Sequence, residues 1–241
     1  MIKINDIYKS YDHTRALAGV SLDIGKGEFW GLVGPNGSGK TTLYKCVMGL
    51  LTPDNGSIEI DGLNNQTDAV QVKSRIGYSA EPPVLYDYLT GREYLEFIGK
   101  MNGMKSAELS ERRDHLLQVF DLGKKSFEPI ADYSHGMRKK ISLAAALLKS
   151  PPILMLDEPT GGLDAESIFN LKQYLLNLRN DGCTLLLSSH SIDTVEKLCT
   201  HIAVIADGKI LMQNRVANLI QSLGPGETLE TFFVKALQNR S

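Results

Sequence analysis

The sequence predicts an α/β fold with a mainly parallel central sheet, an antiparallel β part at the N-terminus and an inserted α-helical lobe. Three observations lead to this prediction. Short strands are indicated up to about residue 60, helical spacing dominates residues 82–150, and strand-sized apolar runs then alternate with helical stretches. Because strands that alternate with helices are usually joined by crossovers, the later strands are expected to run parallel.

Strands are predicted where short apolar or alternating runs end at turn residues. They are Ile2–Tyr8, Val20–Ile24, Glu28–Val33, Ser57–Ile60, Ile153–Leu156, Thr184–Ser188, Ile202–Ala206 and Lys209–Met212. Helices are predicted over Ala165–Asn180 and Ser191–Cys199. A further helix is predicted after residue 39, where Leu43, Val47 and Leu50 recur at helical spacing.

The domain organisation follows from the same pattern. Apolar residues recur at helical spacing from 82 to 150, and an inserted helical lobe is the simplest account of them. We expect one domain over residues 1–223 that contains this lobe, and a helical tail at 224–241. The tail has a soft boundary at Gly224-Pro225-Gly226, followed by a short amphipathic helix, Leu229–Leu237.

The bulk composition disfavours several classes of protein. The chain has 241 residues, a formal net charge of −2 and three widely separated cysteines, Cys46, Cys183 and Cys199. This charge provides no basic field for a phosphate backbone, so nucleic acid is not expected as a partner. The cysteine spacing fits neither a zinc site nor a disulfide framework and suits buried thiols in a reducing compartment. Neither a signal peptide nor a bilayer-spanning run is predicted.

A glycine-rich loop carries the strongest functional signal. It lies between an apolar strand and a helix and consists of Gly34, Pro35, Asn36, Gly37, Ser38, Gly39, Lys40, Thr41 and Thr42. The glycines allow the backbone to direct N–H groups at phosphate oxygens, where the helix N-terminus adds its positive dipole end. Lys40 would bring a charge to the β- and γ-phosphates, and Thr41 would offer a hydroxyl to magnesium. The loop therefore predicts a P-loop NTPase core.

Two acidic residues follow the buried run Ile153–Leu156 at its carboxyl end, where ligands bind in open α/β sheets. We expect Asp157 to hold magnesium through its water shell and Glu158 to orient and polarise the attacking water. A separate polar turn at 133–139 has Ser134 as the expected N-cap of the following helix. The start of such a helix can bind an anion.

In their order, these motifs resemble the nucleotide-binding domain of ABC ATPases, from Tyr11 to about Met212. The resemblance implies that Tyr11 stacks on adenine and that residues 34–42 bind the phosphates. The family's other motifs match the signature residues Ser134, Gly136 and Met137, the Walker B acids Asp157 and Glu158, the D-loop Gly162-Leu163-Asp164 and the switch histidine His190. His190 is thereby expected to hydrogen-bond the γ-phosphate and to hold Glu158 in place.

The resemblance implies ATP and Mg²⁺ as ligands and an active site shared between two chains. One chain would supply the P-loop and the acids, and a second copy or a paralogous ATPase subunit would supply Ser134 and Gly136. ATP binding would close this dimer and hydrolysis would open it. An integral membrane permease is the other implied partner, with this chain cytoplasmic and peripheral on the inner face of the cell membrane. The candidate permease contacts are Leu85, Tyr86, Tyr88 and Leu89.

The chain departs from the family pattern at two motifs. Glu81 stands where the family usually has glutamine, and a carboxylate there can ligate Mg²⁺. Because it adds negative charge near the phosphates, we expect a site that depends more on the metal. The signature has His135 for a glycine and Met137 for a glutamine, but it keeps Ser134 and Gly136. Such departures resemble the motifs of ABC ATPases that serve small bacterial exporters with separately encoded permeases.

Two alternative classes are weighed against the transporter subunit. A soluble ABC ATPase that drives assembly or remodelling, for example in iron–sulfur cluster biogenesis, would carry the same motifs. Ribosomal and DNA-repair members are disfavoured because the chain has one motif set and no heptad tract. A GTPase or small-molecule kinase lacks support because no Asn-Lys-x-Asp motif occurs. The motifs do not specify the transported substrate, or whether the dimer is of one chain or two.

Overall fold

The computed structural model describes residues 1–224 and 226–238, in which the strands form two sheets. The strands are β1 (Ile2–Tyr11), β2 (Thr14–Ile24), β3 (Phe29–Val33), β4 (Asn55–Ile60), β5 (Leu63–Asn64), β6 (Ile76–Ser79), β7 (Ile153–Asp157), β8 (Thr184–Ser189), β9 (His201–Ala206) and β10 (Lys209–Arg215). The helices are α1 (Lys40–Val47), α2 (Ala69–Ser74), α3 (Gly91–Met101), α4 (Ser106–Val119), α5 (His135–Leu147), α6 (Ala165–Asn180), α7 (Ile192–Leu198), α8 (Val216–Ser222) and α9 (Leu229–Gln238).

The N-terminal sheet has the strand order β2-β1-β4-β5, and each neighbouring pair is antiparallel. Side chains alternate along β1, where Ile2 and Ile4 are buried and Lys3 and Asn5 are exposed. This period of two is the pattern of a strand with one face on the core and the other in solvent. The predicted antiparallel β part is confirmed.

The central sheet has the strand order β10-β9-β3-β8-β7-β6. Within the described part of this sheet, all neighbours from β9 to β6 are parallel and only the edge strand β10 pairs antiparallel. Every residue of β3, β7 and β8 is buried, as expected for parallel strands that are covered on both faces. The prediction of a mainly parallel sheet is confirmed, and the carboxyl ends of β3, β7 and β8 meet at one edge.

Two hydrophobic clusters cover the two faces of the central sheet. Alternate residues of β7 show the division, because Ile153 and Met155 pack in one cluster and Leu154 and Leu156 in the other. The first cluster also holds the inward side chains of the antiparallel sheet, and the second holds those of the lobe helices. The three cysteines are buried, which confirms their predicted place in the core.

The lobe begins with a helix whose start is fixed by its own sequence. The Thr90 side chain accepts a bond from the Glu93 N–H, and the Glu93 carboxylate accepts one from the Thr90 N–H, which forms a capping box at α3. Helix α5 packs on the central sheet as well as on the lobe, since the hydroxyls of Ser79 in β6 and Ser142 in α5 lie 2.9 Å apart. The lobe helices and the sheet thus share one core cluster, and the boundary at residue 223 remains a prediction.

Several predicted elements differ from the structure. Helix α1 ends at Val47, and Leu50 lies beyond it with 55% of its surface exposed, so the prediction of Leu50 on the helix was wrong. The turn at Gly49, with a positive φ of 62°, ends the helical path before that residue. Helices α2 and α8 and strand β5 were not predicted, because each is too short for a periodic pattern. No helix in the described ranges is long and apolar enough to cross a bilayer.

The predicted C-terminal helix is present as α9. Leu229 is buried in its first turn, and Phe232 and Phe233 pack against the cluster that holds the lobe helices. The helix is therefore docked on the domain along its apolar side. Pro225 of the predicted boundary and tail residues 239–241 lie outside the residues described.

Candidate functional site

The glycine-rich loop connects β3 to α1 in a backbone path that requires its glycines. Gly37 and Gly39 have positive φ angles of 79° and 106°, which L side chains rarely adopt. A Cβ at Gly39 would also lie 2.5 Å from the backbone oxygen of Ala16 in β2. Because α1 begins at Lys40, the first N–H groups of the helix have no intrahelical acceptor. These N–H groups therefore form an anion-binding concavity at the carboxyl edge of the sheet.

Lys40 curls back over this loop. Its Nζ donates to the backbone oxygens of Gly34 at 2.7 Å and Pro35 at 3.2 Å, and the residue is 7% exposed. Burial lowers the pKa of Lys40, and the carboxylates of Glu158 and Asp157 oppose that shift. The ammonium is thus held at the loop by two neutral acceptors that a phosphate can replace or supplement.

Ser38 carries an unsatisfied group inside the loop. Its Oγ is buried and has no hydrogen-bond partner among the residues described, while the whole residue is 3% exposed. A buried hydroxyl without a partner costs free energy, so such an atom in a native fold indicates a ligand or water that completes it. The concavity therefore fits the phosphate chain that its sequence predicts.

Asp157 ends β7 beside the first turn of α1. Its carboxylate accepts hydrogen bonds from the Thr41 Oγ1, at 2.9 Å, and from the Ser188 Oγ, and the residue is 1% exposed. A hydroxyl and a carboxylate in contact are the donor set that holds Mg²⁺ together with substrate phosphates and water. Among the residues described, no cluster of three or more His, Cys, Asp or Glu could hold a metal ion by itself. The Thr41–Asp157 pair suits a metal ion whose other ligands are phosphate and water.

Glu158 is held in an unusual backbone conformation next to Asp157. Its φ of 46° lies in the left-handed region, and such a conformation in a side-chain-bearing residue is a feature of functional sites. The Glu158 N–H donates to the Ser188 Oγ at 3.0 Å, which helps to fix this turn. His190 follows β8, and its Nδ1 lies within hydrogen-bond distance, 2.9 Å, of the Glu158 Oε2. The acid and the histidine thus form the contact that their motifs predict.

Glu81 faces the same cleft from the loop after β6. The cleft has a volume of about 280 Å³ and is lined by Ala16, residues 36–42, Glu81, Asp157 and Glu158. The structure therefore brings together the predicted phosphate loop, the two Walker B acids and the predicted metal ligand Glu81. Gly34 and Pro35 join this group through Lys40, and His190 joins it through Glu158.

Tyr11 is the predicted site residue on the N-terminal sheet that does not line this cleft. It ends β1 opposite Thr14 of β2 and is 43% exposed, while Ala16, two residues further along β2, reaches the loop. Its proposed stacking on adenine stays a prediction. The hairpin nevertheless lies beside the phosphate loop, because Gly39 packs against the Ala16 backbone.

The signature turn and the D-loop form a second group outside the cleft. Ser134 is the N-cap of α5 as predicted, and its Oγ accepts from the Met137 N–H at 3.3 Å. A Cβ at Gly136 would lie 2.8 Å from the Gly162 oxygen, which shows how closely the two loops pack. Asp164 caps α6 by accepting from the Ser167 N–H at 2.7 Å. Neither Ser134 nor Gly136 lines the cleft that contains the P-loop of its own chain.

Two residues of the site were missed at the sequence level. Ser188 bonds to both Walker B acids, and Lys139 donates to the Glu81 carboxylate and to the Asp157 backbone oxygen. The signal for Lys139 was available, because it lies on the helical face shared by Leu143 and Ala146, where an apolar residue is expected. A lysine on a buried face indicates a paired charge.

Comparisons with known proteins agree with the site geometry. The family profile described as ABC transporter matches residues 17–161. The chain is 33% identical over 229 residues to the linearmycin resistance ATP-binding protein LnrL of Bacillus subtilis (strain 168), covering 95% of this chain and 73% of that protein. It is also 33% identical to the daunorubicin resistance ATP-binding protein DrrA3 of Streptomyces coeruleorubidus, covering 98% of this chain and 75% of that protein.

Solved structures share the whole fold. The structure of an ATP-binding subunit of an ABC transporter superposes with a TM-score of 0.91 at 29% identity, covering 98% of this chain and 99% of that one. A dimeric ATP-binding cassette in a post-hydrolysis state, bound to ADP and Pi, has a TM-score of 0.84 at 26% identity, covering 90% of this chain and 99% of that one. The second structure contains the dimer and the hydrolysis products that the motifs predict.

Proposed function

The chain belongs to the ABC transporter family as an ATP-binding and ATP-hydrolysing subunit, and we propose that it pairs around Mg²⁺·ATP to drive a separate membrane permease in export. The observation that carries this proposal is the cleft in which the phosphate loop, Asp157 and the Glu158–His190 contact converge. The two relatives named above are ATP-binding proteins of linearmycin resistance and daunorubicin resistance. A role in assembly or remodelling is not favoured by these relatives.

In the proposed mechanism, the loop binds the triphosphate and the acids organise the metal and the water. The open N–H groups at the start of α1 and the Lys40 ammonium hold the phosphate oxygens. Thr41 and Asp157 hold Mg²⁺, with Glu81 across the cleft as a further ligand. When bound, the metal neutralises charge on the phosphates. The 2.9 Å contact between the Thr41 hydroxyl and the Asp157 carboxylate supports the assignment of these two residues to the metal.

Hydrolysis is assigned to Glu158 and His190. The Glu158 carboxylate accepts a hydrogen bond from the attacking water and orients it, and His190 fixes that carboxylate through the 2.9 Å contact. The His190 side chain is 71% exposed and only its Nδ1 contacts Glu158, so its Nε2 is assigned to the γ-phosphate. The left-handed backbone of Glu158 aims its side chain into the cleft and away from the core.

Dimerisation is proposed because the site is incomplete in one chain. Ser134 is exposed, the neighbouring Gly136 packs against Gly162 of the D-loop, and neither residue lines the cleft of its own chain. In the proposed dimer, Ser134, Gly136 and Met137 of one chain bind the γ-phosphate held by its partner, and Asp164 lies at the seam. The similarity to a dimeric cassette with ADP and Pi supports this arrangement. Two bound nucleotides would stabilise the pair by mass action.

A groove between the lobe and the sheet is the proposed docking site for the permease. It has a volume of about 430 Å³ and is lined mainly by apolar groups of α3, α5 and β6. Val84 lines the groove, Tyr86 packs with its ring 6.2 Å from that of Tyr94 in the groove wall, and Tyr88 follows two residues later. These three side chains are 83%, 57% and 99% exposed. Leu85 and Leu89 are partly buried against the core, so the permease contact is assigned to the tyrosines and Val84. Exposed apolar groups around a groove are typical of a protein interaction site.

The proposal is tested by sedimentation of the Glu158→Gln variant with and without ATP. Because hydrolysis is blocked while the loop is intact, we expect ATP to convert monomers to dimers. Glu158→Gln/Lys40→Ala is the matched control and should remain monomeric. Monomers at saturating ATP, both alone and with the permease, would refute the shared site. Docking is tested separately by co-purification with a co-expressed permease, which Tyr86→Ser/Tyr88→Ser should weaken.

A further inference from the structure

Lys139 is a buried charge beside the cleft to which the mechanism above gives no role. Its side chain is 0% exposed, and its Nζ donates to the Glu81 Oε2 at 2.6 Å and to the Asp157 backbone oxygen at 2.9 Å. An ammonium without partners is strongly unfavourable in a protein interior. The fold therefore retains Lys139 at this position only together with these two acceptors.

The pair of Lys139 and Glu81 is relevant to function because Glu81 lines the nucleotide cleft. Its side chain is 30% exposed and lines the cleft, where three carboxylates, of Glu81, Asp157 and Glu158, accompany the single ammonium of Lys40. ATP itself is strongly anionic, so an unpaired third carboxylate would oppose its binding. Lys139 lies behind Glu81, away from solvent, and compensates that charge without occupying the cleft.

The same ammonium also joins separate parts of the site. Lys139 belongs to α5, Glu81 to the loop after β6, and Asp157 to the end of β7. Two donated bonds from one buried atom restrict the position of Glu81 relative to the magnesium-binding strand end. The Glu81 Oε1 is not the atom engaged by Lys139 and stays available for a metal ion or a water.

We propose that Lys139 is a positioning residue that neutralises Glu81 and orients its carboxylate for metal-bound nucleotide. This inference rests on the proposed function, since it concerns the same ATP site. The sequence alone led us to expect that Glu81 makes the site more dependent on metal. Because Lys139 compensates the negative charge of Glu81, this stronger dependence is no longer expected in the native site. Unusual metal dependence should appear only when one member of the pair is removed.

The test compares ATP affinity in excess Mg²⁺ with ATP affinity in excess EDTA. The informative quantity is the dissociation constant in EDTA divided by that in Mg²⁺. Lys139→Gln leaves an unpaired carboxylate, which repels metal-free ATP most, so the ratio should rise about tenfold. Glu81→Gln leaves an unpaired ammonium and should lower the ratio. Lys139→Gln/Glu81→Gln restores a neutral pair and should return the ratio to within about threefold of the original chain.

A merely structural role for Lys139 predicts another pattern, in which both affinities fall together and the ratio stays constant. That result, or a shift in the same direction for both single variants, would overturn the inference. If Lys139→Gln does not fold, the Glu81→Gln variant is compared with the double variant, which differs from it only at Lys139. The ratio must then be higher in the double variant. Lys100→Gln removes a lysine from the exposed Lys100–Glu96 pair and should leave the ratio unchanged. Failure of the proposed function is distinguishable, because the unaltered chain would then not bind ATP.

Discussion

The two helix starts assigned to nucleotide binding differ in how their polar groups are completed. Helix α1 follows Gly39, which has no side chain to cap it, and the neighbouring Ser38 Oγ is buried without a partner among the described residues. Helix α5 follows Ser134, whose Oγ accepts from the Met137 N–H at 3.3 Å. The start of α1 thus leaves its polar groups for a ligand or water to complete, whereas at the start of α5 the Ser134 side chain completes the Met137 N–H.

This difference agrees with where each helix start meets its ligand. The start of α1 is enclosed by the cleft of its own chain, so its unpaired groups are completed whenever nucleotide binds. The start of α5 is exposed and, in the proposed mechanism, meets a nucleotide only when a second chain arrives. A capped start can remain in water without loss of stability, while an uncapped buried one reduces the stability of the empty protein. The absence or presence of a side-chain cap therefore distinguishes the helix start that binds the nucleotide of its own chain from the one that binds the nucleotide of a partner.

The largest expected effect concerns Glu158, which lies in the cleft but is not part of either helix start. Glu158→Gln should reduce ATP turnover by about a hundredfold or more, because a positioned base is lost. ATP affinity should change little, since the α1 start is untouched. Phosphate release and equilibrium ATP binding measure the two quantities. Turnover within about threefold of the original chain would remove Glu158 from its assigned role.

A smaller effect is expected for the ammonium at the α1 start. Lys40→Ala should weaken ATP binding by a single chain about tenfold or more, because a charge-assisted contact to phosphate is lost. Ser134→Ala is the matched control at the α5 start, and its single-chain affinity should equal that of the original. Both are measured at protein concentrations where the chain is monomeric. Equal affinity for Lys40→Ala would mean that the loop is misassigned.

The comparison is sharpest for two serine variants, which should change stability in opposite directions. Ser134→Ala removes an N-cap and should lower the free energy of unfolding by about 1 kcal/mol. Ser38→Ala removes an unsatisfied buried hydroxyl and should raise it, by up to about 1 kcal/mol, while weakening ATP binding. Urea denaturation without nucleotide gives both values. A loss of stability in Ser38→Ala would show that its hydroxyl is already satisfied in the empty protein.

The smallest expected effect is the part of a stability loss that a second substitution recovers, and it tests the contact that holds the α5 start against the D-loop. A Cβ added at Gly162 would lie 2.2 Å from the His135 Cδ2, at a positive φ of 75°. Gly162→Ala should therefore cost about 1 kcal/mol of stability. The double variant Gly162→Ala/His135→Ala should recover part of the lost stability, because it removes the clash but keeps the backbone strain. If the double variant recovers nothing, the imidazole does not set the position of this turn.

Local patterns predicted much of this fold and site. The P-loop, the Walker B acids and the Ser134 cap depend on residues close in sequence, so spacing alone was sufficient. Helix α6 begins and ends at the predicted residues because Asp164 caps one end and Gly182, with a positive φ, follows the other. The contact between Glu158 and His190 was expected from the family resemblance, and it forms because β7 and β8 are neighbours that end at the same edge.

The remaining features depend on contacts between distant parts of the chain. The pairing of Lys139 with Glu81 joins residues 58 positions apart, and the hydroxyl of Ser188 reaches Asp157 over 31 positions. Neither distance follows from a periodic pattern. The place of Tyr11 at the nucleotide stays a prediction, because the alignment of its hairpin relative to the loop is set by Ala16 packing on Gly39. Such packing depends on the register of β1 and β2, which short motifs do not determine.

The burial of the three native cysteines has a practical consequence for following motion in this protein. Burial raises the pKa of the Cys46 and Cys183 thiols to about 11 and raises that of Cys199 as well, so all three are poor nucleophiles near neutral pH. Tyr88, in contrast, is 99% exposed on the lobe. A fluorophore or spin label coupled through Tyr88→Cys would react ahead of the native thiols, so opening and closing could be recorded by spectroscopy without first replacing any natural cysteine.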